Sequence, residues 1–160
     1  PKLDTPIHTL VLPSTGQEIK YRPFLVKEQK LLMMAQESEE DDQMYHIMSN
    51  IVRACTFDKV DADTVPLFDI EYVFLKLRAK SVGETAKLRV LCPDDEKTYT
   101  ELEVNLDNID VQMTENHTNI VELSDKVKII MKYPQLKDMK MIGADLQGVE
   151  QVFSILKYCS

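Results

Sequence analysis

Thr64-Val65-Pro66-Leu67-Phe68-Asp69-Ile70-Glu71-Tyr72-Val73-Phe74-Leu75-Lys76-Leu77-Arg78-Ala79-Lys80 reads as a helix that is apolar on two sides. Pro66 opens it where a missing N–H does no harm, and Asp69 falls in the first turn. At about 100° per residue, Leu67, Ile70, Val73, Phe74 and Leu77 share one face, while Phe68, Tyr72, Leu75 and Ala79 share a nearly opposite one. The polar residues are squeezed into two narrow stripes, Asp69/Lys76/Lys80 and Glu71/Arg78. Two apolar faces need two packing surfaces. The plain reading sandwiches the helix between N-terminal helices and a following sheet, and the sharper one gives a face to a partner protein.

Upstream, residues 7–12 alternate as a strand, and Pro13-Ser14-Thr15-Gly16 turns the chain into a second extended stretch, Glu18 to Arg22, which Pro23 ends. Strong helix formers fill Val26 to Gln36. The acidic run Glu37, Glu39, Glu40, Asp41, Asp42 suits a solvated helix start. It precedes a stripe at helical spacing, Met44, Ile47, Met48, Ile51, Val52 and Cys55.

Downstream of Gly83, Glu84 to Cys92 and Thr98 to Val104 alternate around the turn Pro93-Asp94-Asp95-Glu96, a second antiparallel hairpin. Asn119 to Leu123 and Val127 to Lys132 add two further extended pieces, which predicts a sheet of at least four strands. Val149, Val152, Phe153, Leu156 and Cys159 recur at helical spacing. The expected architecture is α+β, with an N-terminal β-hairpin, a helical layer of about three helices, an antiparallel β-sheet and a C-terminal helix. Residues 1–134 form one α+β domain, with the hairpin at 6–22, helices over 26–80 and the sheet over 84–133. Residues 135–160 form a loop and the start of a helical segment whose apolar pattern breaks off, as in a truncated chain.

A chain of 160 residues with 44% hydrophobic and 29% charged residues can build a core without staples. The three cysteines, Cys55, Cys92 and Cys159, are odd in number and far apart, with no apolar run long enough to span a bilayer, which points to a reducing cytosol and no membrane. A net charge of −8 and the lack of a dense Lys/Arg cluster argue against nucleic acid as a partner.

Motifs for chemistry are sparse. His8, His46 and His117 lie in different predicted elements, none beside a second ligand at metal spacing. Cys92-Pro93-Asp94-Asp95 sits where a zinc ribbon places a Cys-x-x-Cys knuckle, but Asp95 replaces the second thiol and no second knuckle exists, so a metal-free hairpin is expected. Cys55 ends an apolar stripe and reads as core, not as a nucleophile. The chain has no Gly-rich phosphate loop and no G-x-S-x-G element. No catalytic residue, cofactor or metal ion is therefore expected. Eight methionines offer adaptable surface, and Met139 and Met141, flanked by lysines, are candidates for partner contact.

Three blocks carry a family resemblance: Leu12-Pro13-Ser14-Thr15-Gly16 with Tyr21-Arg22-Pro23-Phe24-Leu25-Val26-Lys27-Glu28; Cys55-Thr56-Phe57-Asp58; and the tract from Phe68 to Glu84. Over residues 5–134 the chain resembles the baseplate hub assembly proteins of T-even-like contractile-tailed bacteriophages (myoviruses). The resemblance implies a viral protein without catalysis that helps to build the baseplate hub, as an assembly chaperone or a minor structural component. It also implies other hub and tail proteins as partners, with self-association open, and a location in the host cytoplasm during assembly or in the virion tail. Arg22, Phe24, Tyr72, Arg78 and Lys80 are the residues most suited to contact, because aromatic and Arg side chains commonly anchor interfaces. The competing reading is an acidic adaptor or inhibitor that binds a basic nucleic-acid-binding protein through phosphate-like charge.

Overall fold

The alternation after Thr5 becomes a hairpin because one side of each strand is apolar. Strands β1 (His8–Val11) and β2 (Glu18–Tyr21) pair antiparallel with Leu10 opposite Ile19 and His8 opposite Tyr21. Leu10, Leu12, Ile19 and Tyr21 turn inward. Gly16 closes the turn at φ 68°, in the left-handed region where it avoids a Cβ penalty. The computed structural model describes residues 5–37, 41–141 and 148–159.

Helix α1 (Val26–Glu37) starts with a capping device: the Glu28 carboxylate reaches back to accept the Leu25 N–H at 2.6 Å. Helix α2 (Asp41–Cys55) buries Ile51, Val52 and Cys55 fully, whereas Met44, Ile47 and Met48 of the same stripe are half-buried. Most of the acidic run between α1 and α2, and its side chains, lie outside the described residues. Phe57 and Asp58, at φ 55° and 58°, then reverse the chain.

Helix α3 (Leu67–Val82) is the centre of the molecule. Ile70, Val73 and Leu77 enter a core shared with the hairpin, Val52, Cys55, Val60 and Leu136. The second apolar face buries Ala79 but leaves Phe68, Tyr72 and Leu75 half-buried. Phe68 packs edge-on against Tyr133 at 4.9 Å, and Phe68, Tyr72 and Leu75 line an open pocket of about 300 Å³ together with Ile109 and Val111.

The strands beyond Gly83 correct the sheet expected from sequence. β3 (Thr85–Leu91) pairs with β4 (Tyr99–Asn105), and β5 (Ile120–Ser124) with β6 (Val127–Ile130). Among the described residues the strands make three separate two-stranded sheets, so the predicted sheet of four or more does not form. Alternation specifies a strand but not its neighbour. The chain after β6 is committed elsewhere: the Lys132 N–H donates to the Cys159 carbonyl at 2.6 Å, and Pro134 accepts the Leu67 N–H at 2.9 Å. Helix α4 (Leu136–Met141) anchors Leu136 in the core, and α5 (Val149–Cys159) follows. The α+β class stands, with ribbons in place of a sheet.

Candidate functional site

The candidate contact residues separate into a clamp, a face and a groove. Arg22 belongs to the clamp. Its backbone N–H donates to the Cys55 carbonyl at 2.9 Å, and its guanidinium donates to Glu28 at 2.9 Å and to the Pro23 carbonyl at 3.0 Å. Both ends of this ion pair are nearly buried. Burial pushes Glu28 upward, but the Arg22 hydrogen bond and the Leu25 N–H outweigh it and leave the carboxyl below its ordinary value of 4.5. The pair joins β2, the end of α2 and the start of α1.

Tyr72 and Lys80 lie on the face of α3 toward the 3-10 turn Leu106–Asn108. The Tyr72 hydroxyl donates to Asp110 at 3.1 Å, and burial together with that carboxylate pushes the phenol up to about 12. The Lys80 ammonium donates to Glu84 at 2.5 Å and Asp107 at 2.7 Å, which raises its pKa. Between them sits Lys76, a buried ammonium that sequence reasoning placed in a polar stripe. It donates to the carbonyls of Asp107 at 2.7 Å and Ile109 at 3.0 Å and lies 5.0 Å from the Tyr72 ring centre. These groups fasten the 106–110 segment to α3.

Asp69, the other polar residue between the apolar faces, is fully buried and accepts two hydrogen bonds from Ser14 in the first hairpin turn. Neither Asp69 nor Lys76 was singled out by sequence. The available signal was their position between two apolar stripes, where a charge has little chance of reaching water. Glu28 had a local signal, its capping-box spacing from Leu25.

Phe24 and Arg78 meet in a groove of about 430 Å³ between α1, α2 and α3, also lined by Met33, Met44, Met48 and Phe74. Phe24 and Phe74 are 5.7 Å apart, ring centre to ring centre. The Phe24 N–H donates to the Ser81 hydroxyl at 2.8 Å, which fixes this wall of the groove. The Met139 and Met141 side chains lie outside the described residues.

Further uncovered apolar surface lies on the later elements. In β3–β4, Lys87 faces Glu103 and Arg89 faces Glu101 across the strands. The other side of this ribbon presents Leu88, Val90 and Leu102, each 41–51% exposed. A second apolar patch of Val121, Leu123, Ile129, Phe153 and Leu156 joins β5–β6 to α5.

The motifs examined for chemistry have ordinary partners. Asp95 accepts from the Lys97 and Thr98 N–H groups and from the Thr98 hydroxyl, which pulls its pKa down to about 2. Cys55 is buried, and desolvation pushes its thiol up to about 11. His8 lies against Tyr21, and His117 stacks on Tyr133. Among the described residues no three His, Cys, Asp or Glu side chains converge as a metal site, and no helix is long and apolar enough to cross a membrane.

No curated protein and no solved structure matches the chain. A family model described as T4 bacteriophage base plate protein matches residues 5–159, a span that takes in the clamp, the groove and the ribbons alike. This chain belongs to that family of phage baseplate proteins.

Proposed function

We propose that this chain works in assembly of the central hub of the tail baseplate of a contractile-tailed phage, by protein–protein contact and without catalysis, as an assembly chaperone or a minor component of the hub. The observation that carries the reading is the apolar side of the β3–β4 ribbon, where Leu88, Val90 and Leu102 are open to solvent. A two-stranded ribbon is marginal alone in water, and an apolar side suits one that is completed by a neighbouring subunit. The net charge of −8 keeps the free chain soluble until it is placed.

The test is affinity purification of the full chain from phage-infected cells, with identification of the tail proteins that accompany it, followed by a search for the chain in purified virions. Hub proteins should accompany it. Retention in the virion marks a structural component and loss marks a chaperone, whereas the absence of any baseplate protein overturns the reading.

A further inference from the structure

We infer that the β3–β4 ribbon pairs edge to edge with the ribbon of a second copy, β4 of one chain against β3 of the next, so that copies join head to tail. The inference concerns the two edges of the ribbon and stands independently of what meets its apolar side.

Both edges are open. β3 and β4 pair without a break from Thr85–Asn105 to Leu91–Tyr99, and no third strand joins them among the described residues. Beyond one end the Cys92 N–H donates to the Thr98 carbonyl, and beyond the other the Leu106 N–H donates to the Glu84 carbonyl, both at 2.7 Å. Bonded and non-bonded pairs alternate along an antiparallel ladder, so the even-numbered residues bond inside the ribbon and the odd-numbered ones turn their N–H and C=O groups outward. The outward groups at the middle of each edge therefore belong to Lys87 and Arg89 on β3 and to Glu101 and Glu103 on β4, all four exposed.

Charge then decides what can pair with each edge. Two β3 edges would set Lys87 and Arg89 against the same cations, and two β4 edges would set Glu101 and Glu103 against the same acids; like charges directly opposite are unfavourable. Unlike edges do the reverse. In the register that the ribbon already uses, Glu103 meets the second copy's Lys87 and Glu101 meets its Arg89, which places each charge between two opposite ones. On the other side of the sheet the apolar row runs on, with Leu102 of one copy beside Leu88 of the next. The β5–β6 ribbon offers no such edge, because a register shift between Glu122 and Ser124 breaks its ladder.

Arms paired in this way point in one direction about 10 Å apart, two strand spacings. That is the width of one helix, whereas each body carries a layer of three, α1, α2 and α3. The bodies fit only if they radiate around converging, twisted arms, which closes the head-to-tail contacts into a ring.

The test uses the purified full chain without any other phage protein. Sedimentation velocity should show a closed particle larger than a dimer. The variant Lys87→Glu, Arg89→Glu, Glu101→Arg, Glu103→Lys exchanges the charges of the two edges while it keeps every cross-strand pair and the net charge of −8. It should form the same particle with itself. Tagged wild type should nevertheless capture it about tenfold less than it captures wild type, since every mixed junction sets like charge against like. With Cys92→Ser in both chains, Glu103→Cys in one should form a disulfide with Lys87→Cys in another and neither with its own kind, because only unlike edges bring these Cα atoms within about 7 Å.

A monomer at every concentration, a dimer, capture of the exchanged variant equal to that of wild type, or trapping between like sites would each overturn the inference. Should the exchanged variant fail to fold, the trapping experiment decides, since each of its chains alters a single position on one edge. Co-purification with tail proteins is read separately. A monomer that still brings down baseplate proteins sinks only the ring, and a ring that brings down none sinks only the baseplate reading.

Discussion

Asp69 and Ser14, 55 residues apart, are joined twice: the Ser14 N–H donates to Asp69 Oδ1 at 3.0 Å, and the Ser14 hydroxyl donates to Oδ2. Through this contact the first turn of α3 holds the tip of the N-terminal hairpin. Asp69→Ala should cost about 2–3 kcal/mol, because it strands a backbone donor and removes a charge-assisted bond. Ser14→Ala, which keeps the backbone donor, should cost about 1–2 kcal/mol. Urea melts of the single and double variants should show the double falling short of the sum, since both act on one contact.

The Arg22–Glu28 pair makes stability fall in acid. The folded pKa of Glu28 lies below its ordinary value, so its contribution is complete above about pH 4.5 and is lost as pH falls through the lower folded value. Asp107 is lowered by Lys80, and Asp138 by the Gln135 N–H and Lys132 against an opposing push from burial, so both act in the same direction. The thermal midpoint should therefore decline steadily below about pH 4.5. Arg22→Met, which leaves Glu28 buried and unpaired, should cost about 3–5 kcal/mol, and adding Glu28→Gln should recover part of it.

Lys76 gives a local prediction. Lys76→Met removes the ammonium that serves the carbonyls of Asp107 and Ile109, and it should cost about 2–3 kcal/mol. Hydrogen exchange should rise first in the 106–110 segment, ahead of the hairpin β1–β2. Exchange that rises equally in both places would show that the lysine supports the core as a whole.

The β3–β4 ribbon separates stability from assembly. Leu88 and Leu102 face each other across the strands and are half-exposed, so Leu88→Ser with Leu102→Ser should cost about 1 kcal/mol or less in a melt. The same double variant should lose co-purification with baseplate proteins. Unchanged assembly would remove the ribbon from the list of contact surfaces.

The thiols should react unequally. Cys55 and Cys159 are buried and desolvation raises both thiols, whereas Cys92 is partly exposed beside the hairpin turn. Titration of the native chain with a thiol reagent should modify Cys92 first, and the other two only on unfolding.

Local signals were read correctly where the chain settles its own conformation. The turn at Pro13 to Gly16, the helix after Pro66, its end at Gly83 and the turn at Asp95 each depend on residues close in sequence. The expected four-stranded sheet failed because strand pairing is decided by distant choices, such as the hold of Lys132 on Cys159. The burial of Lys76 was invisible for the same reason, as its acceptors assemble only when the 3-10 turn folds back. Sequence named Phe24 and Arg78 as anchors, but the fold alone brings them into one groove. It left open whether the second apolar face of α3 is packed or offered to a partner; that face is half-buried, and exposed apolar side chains are also found on the ribbons, α5 and α1.

The β3–β4 ribbon leaves the body and returns to it at nearly one point. The Glu84 carbonyl accepts the Leu106 N–H at 2.7 Å, and the single ammonium of Lys80 bridges Glu84 at one foot and Asp107 at the other. A pull on the tip is therefore met at the root by α3, where Lys80 grips both feet while Lys76 and Tyr72 hold the stretch that follows β4.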